Sequence, residues 1–187
     1  MRSSAASENK QHSTLIHEIM KSKLPDSDKS FTRIYDEVST VLGAAFETTA
    51  STMRLIFFHL YSRPEILQRL REEIGSAKVE DSREVDLRTL EKLPYLTSVL
   101  MEGLRLSPGI STRMARIADR DLVYDKWIIP AGTPVGMTTI LLHLDETMYP
   151  DPKAFNPDRW LEPDPWTIGS RVFAPFSKGS RICLGMQ

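Results

Sequence analysis

Prolines divide this 187-residue chain into two stretches of different character. Only Pro25, Pro64 and Pro94 precede position 108, while nine of the 12 (108, 130, 134, 150, 152, 157, 163, 165 and 175) fall in the last eighty residues. Proline has no N–H to give to a helix or a sheet ladder, so it is confined to helix starts, edges and turns. Long helices therefore belong to the first stretch, and the second must be short elements and irregular chain.

Within the first stretch, Ile34, Val38, Val41, Leu42, Ala45, Met53, Ile56 and Leu60 recur near the 3.6-residue period and predict one long helix over 31–62. Pro64 ends it and opens a third helix carrying Ile66, Leu67, Leu70 and Ile74 up to Gly75. The stretch "VDLRTLEKLP" adds a short helical turn, and Pro94 opens a helix over 94–106 with Leu96, Val99, Leu100, Gly103 and Leu104 on one side. Before them, Leu15, Ile16, Ile19 and Met20 suggest a short amphipathic helix that stops near Pro25, and the polar residues 1–13 read as a disordered leader. After Pro108, "DLVYDKWIIPAGTPVGM" reads as a hairpin turning at Asp125-Lys126, with another strand after Ala131-Gly132. "TTILLHLDE" reads as a brief helix, and the proline-laced meander 149–175 as chain wound by tertiary contacts. The fold class is mainly α with a small β region (α+β).

Composition narrows the function classes. With 41% hydrophobic residues the chain can bury one sizeable core, and a single globular unit is expected. The charge of -1, from 24 basic and 25 acidic residues, provides no field to recruit nucleic acid. One cysteine cannot form an internal disulfide, and the polar start has no signal-peptide pattern, which points to an intracellular setting. "LIFFHLY", the most apolar run, is too short to span a bilayer, so no membrane anchor is expected in this chain.

Three stretches could carry chemistry. In "FSKGSRICLG", residues 176–185, a thiolate at Cys183 would be a soft metal ligand. Gly179 and Gly185 allow close backbone approach, Arg181 could pair with a carboxylate, and Phe176 could shield the sulfur. The alternative is a lone buried cysteine. No second cysteine and no ligand spacing among histidines 12, 17, 59 and 143 support zinc; a Cys183–His143 nucleophile has no local support. Glu102 and Arg105, three apart on a helix, are either a solvated surface pair or, with Arg159, part of a buried network. In "GAAFETT", Gly43, Ala44 and Ala45 precede Glu47, Thr48 and Thr49. The small residues either pack against another helix or leave room for a ligand, and Thr48 could bond a backbone carbonyl or a bound water.

Taken in this order, the stretches resemble the haem-thiolate monooxygenases, the cytochromes P-450. "FSKGSRICLG" matches the family's cysteine loop, Phe-x-x-Gly-x-Arg-x-Cys-x-Gly, at every fixed position. "EGLR" is similar to its Glu-x-x-Arg helix, "FNPDRW" to its Pro-x-Arg element and "AAFETT" to its oxygen-side helix. The likeness runs over 14–187 as the C-terminal half of the fold, most like filamentous-fungal members of specialised metabolism. It implies haem b (iron protoporphyrin IX) with Cys183 as axial thiolate, favouring O–O cleavage. It also implies propionate pairing by Arg181 and by Arg116, placed before a strand, and a structural triad of Glu102, Arg105 and Arg159. Proton guidance toward dioxygen falls to Glu47 and Thr48. The implied reaction inserts one oxygen atom into a small lipophilic substrate, with electrons from an NADPH-cytochrome reductase and no nucleic-acid partner. Two departures stand out. Ala45 replaces the family's usual glycine and narrows the groove there. The family's N-terminal half, with its membrane anchor on the endoplasmic reticulum, and most of the helix after Cys183 are not in this sequence. A truncated, non-catalytic remnant or partner-binding fragment is therefore the competing expectation.

Overall fold

The computed structural model describes residues 14–77, 86–107, 109–161 and 172–186. The leader at 1–13 and the middle of the meander, 162–171, lie outside them. Where composition suggests one unit, the chain divides into two, Met1–Glu47 and Thr48–Gln187, with the boundary inside one long helix.

In the first unit, α1 (Leu15–Lys21) starts at Thr14, whose hydroxyl accepts the His17 N–H at 3.2 Å, the usual way to satisfy a first-turn donor. A 3-10 turn at Asp26–Lys29 follows, and Lys29 Nζ donates to the Ser22 carbonyl at 2.8 Å. The long helix α2 (Phe31–Ser62) then begins, with Arg33 and Glu37 paired at 2.5 Å on one face. None of the described residues of this unit is buried, which accounts for its separation.

The second unit holds the core. Ile56 and Leu60 of α2, Ile66 and Leu70 of α3 (Pro64–Ser76), Tyr95 and Val99 of α5 (Pro94–Leu106), and Phe155 form one buried cluster. Gly75 does not stop α3, because nothing there requires a left-handed residue; the helix runs on to Ser76. Pro64 and Pro94 sit in the first turns of α3 and α5, where the missing N–H costs nothing. The start of α5 has no local cap, and Glu73 of α3 supplies one: its two carboxylate oxygens accept the Tyr95 and Leu96 N–H groups at 2.8 Å each. At Gly103 helix α5 passes so close to α2 that an added Cβ would overlap the Ile56 side chain.

Between α3 and α5 lies the short α4 (Leu87–Leu90). Beyond α5, β1 (Met114–Ile117) pairs antiparallel with β4 (Pro134–Met137), and β2 (Leu122–Tyr124) with β3 (Trp127–Ile129). The hairpin turns at Asp125, which holds φ 53°, a value aspartate tolerates. Arg116 is in β1 itself, facing Val135 of β4, rather than before a strand. α6 (Thr139–His143) and 3-10 turns at Pro157–Trp160, Gly179–Arg181 and Leu184–Met186 also reach the site. The fold is mainly α with two small antiparallel sheets. Among the described residues no helix is long and apolar enough to cross a membrane.

Candidate functional site

Glu102 and Arg105 are one helical turn apart on α5, and both are fully buried, so the solvated-pair reading does not hold. Arg105 Nε and Nη2 each donate to the Glu102 carboxylate at 2.8 Å. Its remaining N–H groups reach the His143 and Pro152 carbonyls at 2.7 Å and Ala154 at 3.1 Å, so all five donors are used. Glu102 also accepts from Asn156 N at 2.9 Å, Arg159 Nε at 3.0 Å and Trp160 Nε1 at 2.9 Å. Arg159 reaches on to the Pro150 and Asp151 carbonyls. Three charged side chains thus hold the path of residues 150–156. Burial pushes the Glu102 carboxyl upward, but the hydrogen bonds and charge of Arg105, the Asn156 N–H and the Arg159 charge outweigh it and hold its pKa below the ordinary value.

His143, at the end of α6, is also fully buried. The Ala174 N–H donates to its Nε2 at 3.0 Å, so Nε2 carries the lone pair and Nδ1–H donates to the Arg105 carbonyl at 3.0 Å. Burial lowers its pKa to about 4, and the Arg105 charge adds to the effect. Both ring nitrogens are occupied and Cys183 is exposed, which removes the Cys183–His143 nucleophile. His143 instead ties down Ala174, two residues before the cysteine loop.

That loop borders a cavity of about 690 Å³. Cys183 lines it and is exposed, which overturns the reading of a lone buried cysteine. Phe176 meets Cys183 through the backbone: its carbonyl accepts the Cys183 N–H at 3.0 Å. Gly179 makes the turn at φ 81°, a conformation side chains resist, and its missing Cβ would meet only open space. Arg181, Phe176, Gly185, Arg116 and Thr48 share the cavity wall with Cys183. Among the described residues neither Arg181 nor Arg116 belongs to an ion pair; the Arg116 guanidinium leans only on the carbonyls of Met114 and Ala115 at 3.5 and 3.3 Å. Glu47 is exposed on α2 at the end of the first unit, and Gly179 shapes the loop without lining the cavity.

Sequence reasoning missed much of the rest of the wall, including Met53, Ile56, Leu100 and Leu104, and the hydroxyls Thr52 and Ser107. Thr52 and Ile56 were within reach, since they lie one and two turns after Thr48 on one helix face. Ser107 was not, because its place depends on how α5 ends.

The profile of the Cytochrome P450 family matches residues 1–187. The N-acetyltryptophan 6-hydroxylase ivoC of Emericella nidulans is 41% identical over 178 residues, covering 93% of this chain and 35% of that protein. The tryptophan 6-hydroxylase fscE of Fusarium equiseti is 41% identical over 94% of this chain and 34% of its own length. The fusicoccadiene C-8 hydroxylase of Phomopsis amygdali is 39% identical over 93% and 33%. The chain spans about a third of the length of these curated relatives. With the cysteine loop, the cavity it borders and the buried glutamate–arginine network, these matches show that the chain belongs to the cytochrome P450 family.

Proposed function

We propose that the chain carries the haem-binding part of a monooxygenase that inserts one atom of dioxygen into a small lipophilic metabolite of fungal specialised metabolism, drawing electrons from an NADPH-cytochrome reductase. The observation that carries this reading is the donor set of one cavity: a sulfur, two guanidiniums outside any ion pair among the described residues, and apolar walls of Met53, Ile56, Leu100 and Leu104. That set fits haem b held as a thiolate complex: the sulfur would hold the iron, the cations would pair with two propionates and the apolar walls would contact a flat macrocycle. Cys183 would ligate the iron, Arg181 and Arg116 would hold the propionates, and Phe176, Gly179 and Gly185 would shape the loop beside them. When bound, the haem supplies the redox chemistry that activates dioxygen.

The chain's own residues would do the rest. The Thr48 hydroxyl, on the cavity wall, would hold and pass protons, with Glu47 next to it in sequence as their source. The apolar walls exclude water from the reacting substrate. Glu102, Arg105 and Arg159 hold residues 150–156, and His143 holds Ala174, so the cysteine loop starts from an anchored point. The lipophilic substrate class is supported by the relative whose name specifies a fusicoccadiene, while the names of the other two specify tryptophan and N-acetyltryptophan, an apolar indole carrying ionised groups.

The test is to add haemin to the expressed chain, reduce it under carbon monoxide and record the difference spectrum. A red-shifted Soret band of thiolate ligation, lost in Cys183→Ser, is the expected result. A folded chain without that band would overturn the reading in favour of a non-catalytic, partner-binding protein.

A further inference from the structure

The cavity wall contains an ordered pair of hydroxyls that the proposed chemistry does not use. Thr52 Oγ1 lies 3.0 Å from the Thr48 carbonyl, one turn back on α2, and 3.1 Å from Ser107 Oγ just past α5. Thr48, Thr52 and Ser107 all line the cavity. The contact is held from both sides: a Cβ at Gly109 would sit 3.3 Å from Thr48 Cγ2, and Gly103 closes on Ile56 one turn further along α2.

Each hydroxyl has a single proton, and a carbonyl can only accept. Both bonds form together in one arrangement only: Thr52 gives its proton to the Thr48 carbonyl, and Ser107 gives its proton to Thr52. Ser107 Oγ is then left with lone pairs alone. From this we infer that Ser107 is a specificity-determining acceptor that selects ligands carrying an N–H or O–H donor over same-shaped ligands without one, with Thr52 as the positioning residue that sets its polarity. The inference rests on the cavity being the substrate site of the proposed monooxygenase. It narrows the substrate class to lipophilic molecules with at least one hydrogen-bond donor, and ranks pure hydrocarbons below them.

Indole and 1-methylindole are suitable probes, because indole offers one donor and no strong acceptor on an apolar body. Their affinities for the haemin-loaded chain are measured by calorimetry, alongside the carbon monoxide spectrum. Indole should bind tighter by roughly 2- to 10-fold, the range of one net hydrogen bond. Ser107→Ala should bring the ratio to about one. Thr52→Val, which releases the Ser107 proton, should also lower it, and Thr52→Ser should keep it. A ratio near one in the wild-type chain, a ratio that survives Ser107→Ala, equal ratios in the two Thr52 variants, or no detectable binding of either probe would each overturn the inference. The spectrum separates this from the function itself: with the thiolate band present and the ratio at one, only the Ser107 assignment fails. With the band absent and the ratio intact, the donor selectivity stands and the monooxygenase reading fails.

Discussion

As pH falls from 7 toward 4, this chain should lose stability through one buried imidazole. His143 titrates at about 4 in the folded chain, against 6.5 when unfolded. Between those values the unfolded state binds a proton that the folded state refuses, so stability falls as pH falls and is unaffected by this group above 6.5. At about 1.4 kcal/mol per pH unit the whole loss is about 3 kcal/mol, a large share of the 5–15 kcal/mol that holds a typical domain. The geometry gives the same sign: a proton on Nε2 would face the Ala174 N–H, turning a hydrogen bond into a clash of two donors. His59, lowered by burial, acts in the same direction, and Glu102, held low, contributes a further loss only below its unfolded value of 4.5. The His143 share is therefore isolated by comparison with His143→Gln, using urea unfolding followed by circular dichroism at pH 7, 6, 5 and 4.5. The variant should be less stable at pH 7 but should decline less steeply. Parallel curves would refute the reasoning, because they would mean that the imidazole is protonated or solvated in the native state.

Glu102→Ala strands the buried Arg105 guanidinium, removes an ion-pair partner from the partly exposed Arg159, and should cost about 3–5 kcal/mol. Its haem content after haemin loading should drop with its melting temperature, and wild-type haem content would remove the network from the site's assembly. Gly103→Ala should cost about 1–3 kcal/mol by overpacking against Ile56. Adding Ile56→Ala should restore part of that loss, and strict additivity of the two changes in urea unfolding would contradict the contact.

The parts of this fold legible in the sequence are those determined by neighbours in the chain. Pro64 and Pro94 mark helix starts because ring sterics are local, and the spacing of Glu102 and Arg105 places them on one face whatever surrounds the helix. Whether that face meets water or a core is a tertiary matter, and here it meets Asn156 and Trp160, more than fifty residues away. β1 escaped notice because Arg113 and Arg116 interrupt the alternation of apolar residues; the strand exists because β4 supplies a partner. The Glu73 cap on α5 and the Thr52–Ser107 pair span 22 and 55 positions, and neither side chain differs in type from any surface residue. Cys183 and its loop stood out by residue type and spacing, but the exposure of the sulfur depended on a cavity that no local pattern encodes.

The anchoring of the meander bears on how this chain can change over evolutionary time. Arg105 and Arg159 grip positions 150, 151, 152 and 154 by their carbonyl oxygens, a group that every amino acid possesses. The path of the chain there is thus encoded in two arginines as well as in its own residues, of which Pro152 and Phe155 are buried. Asp151 adds a local constraint, since φ 50° favours aspartate, asparagine or glycine. A saturation library should find positions 102, 105 and 159 nearly intolerant and exposed Lys153 permissive, so that exposed positions drift in sequence while the path of residues 150–154 stays fixed.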